Sequence, residues 1–319
     1  MKKILCVLMS CLLFVMAGCS GHSKNLKFGA ADIGGVYYSF ASMFSQLADK
    51  EIDGYTFETK TTAGSVANLR LISDGYIDLA IVQADLLSDA YNATGTFADK
   101  KYQKGYKAVA SLYTECCQIV VRKDSGITGI DDLINKTVSV GASESGTEKN
   151  AEQILKMSGI TDELINKVNM DYTEAAEKLK AGEIDAFFCT AGTRTEVIGQ
   201  LSKECDICLI SLDDKCIDKM LSAYSLCEKY TIPAGTYNGQ DSDVTTIGVK
   251  AVLIAKQSLS DDVIKNVTKT IYEHADDFKY ATSLDISFDI NTAADGVDIP
   301  FHSGAAAYYT ERGINVLTE

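Results

Sequence analysis

Four short polar loops, rich in glycine and hydroxyl side chains, are the part of this sequence best suited to bind a ligand. They cover residues 32–38, 61–68, 143–147 and 190–195, and each is predicted to follow a strand and precede a helix. A helix start presents unpaired backbone N–H groups and a partial positive charge, and glycine lets a ligand approach that backbone closely. Several such loops in one cleft would bind a small anion without many cationic side chains. Each loop alone could equally be ordinary turn and capping chemistry.

Arg194, in the fourth loop, is the cationic residue best placed to contact such a ligand. Its guanidinium could bind a carboxylate through two hydrogen bonds, although a solvated loop arginine is the alternative. Arg70, within a predicted helix, and Arg122, at the end of a predicted strand, are interpreted as structural. Tyr37 and Tyr38 could supply a hydroxyl group or a stacking face, or one of them could belong to the core.

The sequence does not indicate catalysis. Residues 141–146 contain serines without the Gly-x-Ser-x-Gly spacing, and neither His274 nor His302 stands in a triad-like context. The phosphate-loop and dinucleotide-binding glycine motifs are both absent from the sequence. We therefore predict that the protein is not an enzyme and uses no cofactor and no metal.

Alternating strands and helices predict an α/β fold, with a near-continuous apolar strand at 77–82 that is typical of a parallel sheet covered on both faces. Period-2 and period-3.6 patterns predict strands at 26–30, 55–61, 77–82, 108–112, 118–122, 137–140, 184–188 and 246–255, and helices from 34, at 65–73, 146–157, 174–180, 214–227, 261–278 and 304–312.

A weak internal repeat favours two lobes. Residues 72–80 and 179–187 each place a glycine and then Ile-Asp between a helix and a buried strand, and Gln83 and Thr190 follow the two aspartates at the same distance. Ligands of open α/β sheets bind at the carboxyl ends of the strands, so two such edges facing each other would form a cleft.

The N-terminus is typical of a bacterial lipoprotein signal. Lys2 and Lys3 precede an apolar run at 4–16, and Ala17-Gly18-Cys19 follows, although Met16 stands where leucine is more usual. We predict a signal peptide at 1–18, lipidation of Cys19 and a tether at 19–25. An ordinary signal with an incidental cysteine is the alternative.

Net charge and cysteine content further restrict which partners the protein could bind and which cysteine sites it could contain. A net charge of −14 without a basic cluster argues against nucleic-acid binding and against docking on anionic lipid, but not against one small bound anion. Cys205 and Cys208 have zinc-type spacing without a matching second pair. Free thiols are the default expectation, and a disulfide among Cys205, Cys208, Cys216 and Cys227 stays open.

Five motifs in order resemble the TAXI family, the immunogenic-protein branch of the substrate-binding proteins of TRAP transporters. They are Gly34-Gly-x-Tyr-Tyr, Thr61-Thr-x-Gly-Ser-x-x-Asn68, Gly75-x-x-Asp-Leu-Ala-Ile-Val-Gln83-x-Asp85, Val140-Gly-x-x-x-Ser-Gly-Thr147 and Gly235-Thr-Tyr-x-Gly239. The resemblance implies a two-lobed type II periplasmic-binding-protein fold, with two mixed sheets flanked by helices and a two-strand hinge. It also implies an ion-coupled membrane permease as partner and a carboxylate ligand such as glutamate or a dicarboxylate.

Carried over by motif, the resemblance implies ligand contacts from both lobes. The residues are Gly35, Tyr37, Gly64, Ser65, Asn68, Gln83, Ser145, Gly146, Thr147, Thr190, Gly192 and Thr193. The family usually has proline where this chain has Arg194, which we add from its position. Lobe 1 is predicted to comprise 26–115 and 247–319 and lobe 2 to comprise 116–246, with hinges near 114–118 and 245–248.

The sequence therefore predicts an extracytoplasmic, lipid-anchored, monomeric solute-binding protein that closes on a small organic anion and delivers it to a TRAP permease. It is expected to touch the membrane only through its anchor and to bind no nucleic acid. Three alternatives stay open: a binding protein for an ATP-driven importer or sensor, an enzyme on the same fold, and a surface lipoprotein with an adhesive or immunogenic role.

Overall fold

The computed structural model describes residues 23–99, 102, 105–283 and 288–319. The predicted signal peptide and Cys19 lie outside the described residues. The strands are β1 (Lys24–Gly29), β2 (Tyr55–Lys60), β3 (Leu79–Gln83), β4 (Tyr106–Arg122), β5 (Thr137–Ser139), β6 (Asn166–Val168), β7 (Ala186–Ala191), β8 (Ile207–Leu209), β9 (Cys227–Ile232) and β10 (Val244–Lys256). The helices are α1 (Val36–Glu51), α2 (Ser65–Ser73), α3 (Ala84–Asn92), α4 (Gly146–Met157), α5 (Tyr172–Ala181), α6 (Glu196–Glu204), α7 (Asp214–Ala223), α8 (Asp261–Glu273), α9 (Ala275–Thr282) and α10 (Ser303–Thr310).

The same arrangement of four strands occurs twice. In the first half, β2, β1 and β3 are parallel in that spatial order and β10 runs antiparallel to β3. In the second half, β6, β5 and β7 are parallel in that order and β4 runs antiparallel to β7. This mixed α/β sheet flanked by helices confirms the predicted fold class.

The sequence repeat has a matching structural role in the two halves. A carboxylate oxygen of Asp78 accepts from the backbone N–H of Lys27 at 2.9 Å, and one of Asp185 accepts from Thr137 at 2.8 Å. Each aspartate thus ties the start of a buried strand to its parallel neighbour. The repeat positions Gln83 and Thr190, because both follow at the same distance on those strands.

β4 and β10 are long enough to belong to both halves, so they join the two predicted sheets. β10 pairs with β9 as far as Val249 and with β3 from Ala251, while β4 pairs with β7 from Cys116. On β4 this change of partners falls within the predicted hinge segment 114–118, and on β10 it lies just after the predicted segment 245–248. The division into two lobes stays a prediction.

Two hydrophobic cores lie on these halves. In the larger, Phe40 is fully buried and stacks on Phe278 with ring centroids 4.5 Å apart. The smaller contains Ile119, Phe188 and Met220. The smaller core is built from residues 117–247, whereas the larger one extends from the first half into α5, α6 and β7 of the second.

The structure corrects several predicted elements. Strands predicted at 108–112 and 118–122 are one strand, β4, because the polar residues between them are part of the sheet. The helix predicted at 261–278 is two, α8 and α9, since the backbone leaves helical geometry at His274. The helix predicted at 214–227 ends at Ala223, and Cys227 already begins β9. The short strands β6, β8 and β9 and the helix α3 had not been predicted. The cysteines of the described residues are free thiols.

Candidate functional site

A narrow cleft lies where the parallel strands of both halves end and five helices begin. It is lined by Ala31, Gly35, Val36, Tyr37, Ala63, Gly64, Ser65, Gln83, Glu115, Ala142, Ser145, Gly146, Thr147, Asp171, Tyr172, Thr190 and Ala191. These residues include the first turns of α1, α2, α4 and α5 and the residue before α3. Backbone N–H groups from several helix starts therefore converge on one space.

The cleft is closed in this structure, with a cavity volume of about 40 Å³. That is room for only a few water-sized groups. Gly64, at φ +122°, lies so near the facing loop that a Cβ there would be 3.3 Å from the Cα of Ser145. A ligand must therefore be small, or the loops must separate to admit it.

Polar contacts across the cleft mouth hold the two halves together. Arg70 donates to both carboxylate oxygens of Glu144, at 3.0 and 2.6 Å, and the N–H of Ala67 donates to the Glu144 carbonyl at 3.0 Å. Further along, the N–H of Tyr172 donates to the Asp32 carboxylate at 3.2 Å. Arg70, interpreted from the sequence as structural, thus lies at the mouth of the cleft.

Replacing Glu144 by glutamine should shift the protein toward an open form. The pair with Arg70 is partly exposed, so its loss should cost about 0.2–1 kcal/mol, or up to about 5-fold in the ratio of closed to open protein. Small-angle scattering without added ligand would measure the change. Glu183→Gln, which removes the carboxylate partner of Lys178 away from the cleft, is the control. Equal scattering of the two variants would contradict a role for the Arg70 pair.

One wall of the cleft contains a buried carboxyl group. Glu115, at the middle of β4, is 2 % exposed, and its Oε2 accepts from the Tyr37 hydroxyl at 2.7 Å. Burial raises the pKa of Glu115 to about 8, against the opposing hydrogen bonds from Tyr37 and Gln83. The amide oxygen of Gln83, also buried, has no hydrogen-bond partner. This wall therefore presents acceptors that a ligand could use.

The opposite wall is a network of hydroxyl groups. Tyr172 donates to the carbonyl of Thr190 at 2.9 Å, and its oxygen lies 2.6 Å from Oγ1 of Thr147. That threonine oxygen accepts from the Thr190 N–H at 3.1 Å, whereas the Thr190 hydroxyl has no partner. Ser145 caps α4 by accepting from the N–H of Glu148 at 2.9 Å. These contacts fix the side chains before any ligand arrives.

Most of the site residues expected from the sequence line this cleft. They are Gly35, Tyr37, Gly64, Ser65, Gln83, Ser145, Gly146, Thr147 and Thr190. Asn68 lies behind the wall, where its Nδ2 donates to the Ile81 carbonyl at 2.9 Å and its Oδ1 accepts from Thr62 at 2.7 Å. It supports the site by tying strand ends together. Ligand contact by the lining residues stays a prediction.

The loop after β7 departs from expectation. Gly192, Thr193 and Arg194 do not line the cleft, and the Arg194 side chain is exposed. The reason is local: Arg194 has a left-handed backbone with φ +66°, and the chain turns there into α6. The guanidinium therefore lies outside the cleft lining, and its contact with a ligand stays a prediction.

Glu115, Asp171 and Tyr172 were missed by the sequence analysis. Glu115 had a readable signal, since it is the one acidic or basic residue in the largely apolar stretch 108–121. Asp171 and Tyr172 had none, because only the fold brings the start of α5 to the cleft. None of the described residues that line the cleft is lysine or arginine, while Glu115 and Asp171 are acidic.

Within the described residues, no helix combines the length and apolar character needed to cross a membrane. No group of three or more histidine, cysteine or acidic side chains there could hold a metal ion.

Solved structures with the same architecture are two-lobed binding proteins. The PhnD1 protein of Prochlorococcus marinus, in complex with methylphosphonate, is 13 % identical with a TM-score of 0.57, over 83 % of this chain and 93 % of that chain. A putative L-cystine ABC transporter protein of Listeria monocytogenes is 15 % identical with a TM-score of 0.52, over 82 % and 94 %. An ancestral arginine-binding protein bound to arginine is 15 % identical with a TM-score of 0.51, over 82 % and 98 %. The fold is thus that of periplasmic solute-binding proteins.

The sequence assigns the family more closely than these distant structures can. The model of the NMT1-like family matches residues 28–313, which is nearly the whole described chain. This protein belongs to the NMT1-like family.

Proposed function

We propose that this protein is an extracytoplasmic solute-binding protein that captures a small organic acid in the cleft. The observation that carries the proposal is the convergence of helix starts on a closed space between the two halves, beside the partnerless polar atoms of Gln83 and Thr190. Helix N-termini bind carboxylates through backbone N–H groups, and buried polar atoms without partners are rare unless a ligand uses them.

Capture would proceed by closure of the two lobes about β4 and β10. Residues 26–115 and 247–319 would form one lobe and 116–246 the other. The change of strand partners near Cys116 and Val249 leaves only two chain crossings at that level, which is the arrangement of a hinge. Scattering profiles that do not change when a tight ligand binds would argue against closure.

Delivery to a TRAP-type permease is proposed from the TAXI resemblance. An ATP-driven importer is the second candidate, favoured by the name of the Listeria relative, which refers to an ABC transporter. Uptake by cells or vesicles that contain the permease encoded next to the gene of this protein would distinguish the two candidate transporters. Dependence on a sodium gradient without ATP would support the first, and dependence on ATP the second.

The ligand is best identified by mass spectrometry of small molecules released when the purified protein is denatured. Recovery of a stoichiometric organic acid supports the proposal. If no solute is recovered, and thermal unfolding of refolded protein is unchanged by a panel of carboxylic and amino acids, the proposed ligand class is wrong.

Cys19→Ser should release the protein from the membrane into the soluble extracytoplasmic fraction. The expectation rests on Ala17-Gly18-Cys19, since lipidation needs the thiol and the body of the chain would then lack its anchor. Detergent-phase partitioning measures the change. Cys205→Ser, a partly exposed thiol in the folded body, is the control and should leave partitioning as in the wild type. A Cys19→Ser protein that still partitions with detergent would rule out lipidation at this residue.

A further inference from the structure

We propose that Glu115 forms a subsite for a cationic group, so that the cleft selects a zwitterion of the amino-acid type over a dicarboxylate or another plain anion. The inference rests on the proposed function, because it assumes that the cleft binds a solute. It goes beyond that function by assigning opposite charges of the ligand to opposite walls of the cleft.

The first observation is the placement of the carboxyl group. Glu115 lies almost fully buried in the cleft wall, where it accepts hydrogen bonds from the Tyr37 hydroxyl and the Gln83 side chain, and among the described residues it forms no ion pair. A buried carboxylate is costly unless a cation or several donors compensate it. A ligand ammonium could supply the missing charge, with up to three N–H donors.

The second observation is a neighbouring acceptor. Oε1 of Gln83 is buried without a hydrogen-bond partner and faces the start of α4, where a Cβ on Gly146 would lie 2.4 Å from it. An amide oxygen can only accept, so it also calls for a ligand donor. Glu115 and Gln83 thus form an acceptor pair, which we term the acceptor wall.

The third observation is polarity across the cleft. The start of α4 at Ser145 and Gly146, beside the hydroxyl network, presents backbone N–H groups, which favour a carboxylate. An α-amino acid carries an ammonium and a carboxylate on one carbon, and so matches both sides of a small cavity. A dicarboxylate would place a second negative charge beside Glu115.

The groups around Glu115 determine whether its carboxyl group is protonated. They are Tyr37 on α1, Asp85 on α3, Tyr172 on α5, Cys189 on β7, and Tyr113 and Cys116 on β4. None is a cation, and the tyrosine and cysteine pKa values are raised by burial, so these side chains stay neutral near pH 7. With its own pKa near 8, Glu115 is mostly protonated in a cleft without a cation. On binding, the ammonium keeps its protons, the Glu115 O–H bond breaks, and one proton passes to solvent.

The test compares each common L-amino acid with the acid that lacks only its amino group, such as L-glutamate with glutarate and L-alanine with propionate. Protein freed of solute by unfolding and refolding is titrated calorimetrically near pH 7 in two buffers of different ionisation enthalpy. We expect at least one amino acid to bind 10-fold or more tighter than its deaminated partner, and to release up to one proton.

Glu115→Gln keeps the size and the acceptor oxygen but removes the charge. It should weaken amino-acid binding by about 10- to 150-fold, as expected for a charge-assisted hydrogen bond, and abolish proton release. Binding of the deaminated acid should stay equal or improve. That second measurement separates a lost subsite from a misfolded protein, because misfolding would weaken both ligands.

Two results would overturn the inference. If deaminated acids bind the wild type as well as or better than amino acids, the cationic subsite is wrong while solute binding stands. If no member of either series binds, the subsite and the proposed ligand class both fail.

Discussion

Replacing Gly146 by alanine should weaken ligand binding by roughly 5- to 150-fold without destabilising the fold. Gly146 is the first residue of α4, and a Cβ there would lie 2.4 Å from Oε1 and 2.5 Å from Cδ of Gln83 on the other wall. The clashing atoms are the end of the Gln83 side chain, which is buried and can move aside only by leaving its hydrogen bond to Glu115. Overpacking of a buried site typically costs about 1–3 kcal/mol. Here the strain falls on the closed cleft, since opening it removes the clash.

Although Gly146→Ala should disfavour the closed cleft, it should stabilise helix α4 itself. Alanine favours a helix over glycine by about 0.5–1 kcal/mol, so the open protein should be at least as stable as the wild type. Gly199→Ala within α6 is the matched control, because a Cβ there meets nothing within 4 Å. Both variants should unfold at or above the wild-type denaturant concentration, and only Gly146→Ala should bind more weakly and scatter as a more open particle. Equal affinity of the two variants would show that the cleft does not close on its ligand at α4.

The loops of the cleft could be predicted from the sequence because their information is local. Gly64-Ser65 and Ser145-Gly146 place small residues directly before apolar helical patterns, and the structure begins helices there. Two such loops facing each other also followed from the repeat around Asp78 and Asp185. Local pattern and chain symmetry together predicted most of the lining.

What could not be predicted depended on tertiary contacts or on one backbone angle. Arg70 and Glu144 are far apart in the chain, and only the closed fold makes them a pair. Arg194 is exposed because its φ is +66°, a conformation that no residue near it signals. Glu115 was concealed for another reason: a polar residue in an apolar run was interpreted as a break between strands, whereas it marks where one strand passes the cleft.

Glu115→Gln should make the protein without ligand more stable at about pH 8.5 than the wild type, by up to about 5 kcal/mol, with the difference vanishing near pH 4. Burial raises the pKa of Glu115 from its usual 4.5 to about 8, so the folded state holds this proton more tightly than the unfolded chain. In the wild type, the stabilisation that comes from this tightly held proton is complete below about pH 4. It is lost as pH rises through the pKa of Glu115 in the folded state. Glutamine does not ionise, so the side chain at position 115 adds no pH dependence to the stability of the variant over this pH range. Denaturant unfolding at intervals from about pH 3 to pH 8.5 measures the difference.

The pH profile separates this ionisation cost from ordinary repacking. Asp85, whose buried carboxyl has a pKa of about 6, destabilises both proteins at higher pH, and its repulsion of an ionised Glu115 adds to the difference between them. Asp132→Asn is the control, with the opposite pH dependence. Backbone N–H groups lower the pKa of that exposed carboxyl group, so its removal should destabilise the protein more at pH 7 than at pH 3. If the stability of Glu115→Gln varies with pH in parallel with that of the wild type, burial does not raise the pKa of the Glu115 carboxyl group. A curve that converges only at low pH would mean that the cleft holds a charge at the expense of stability, which a cationic ligand would offset on binding.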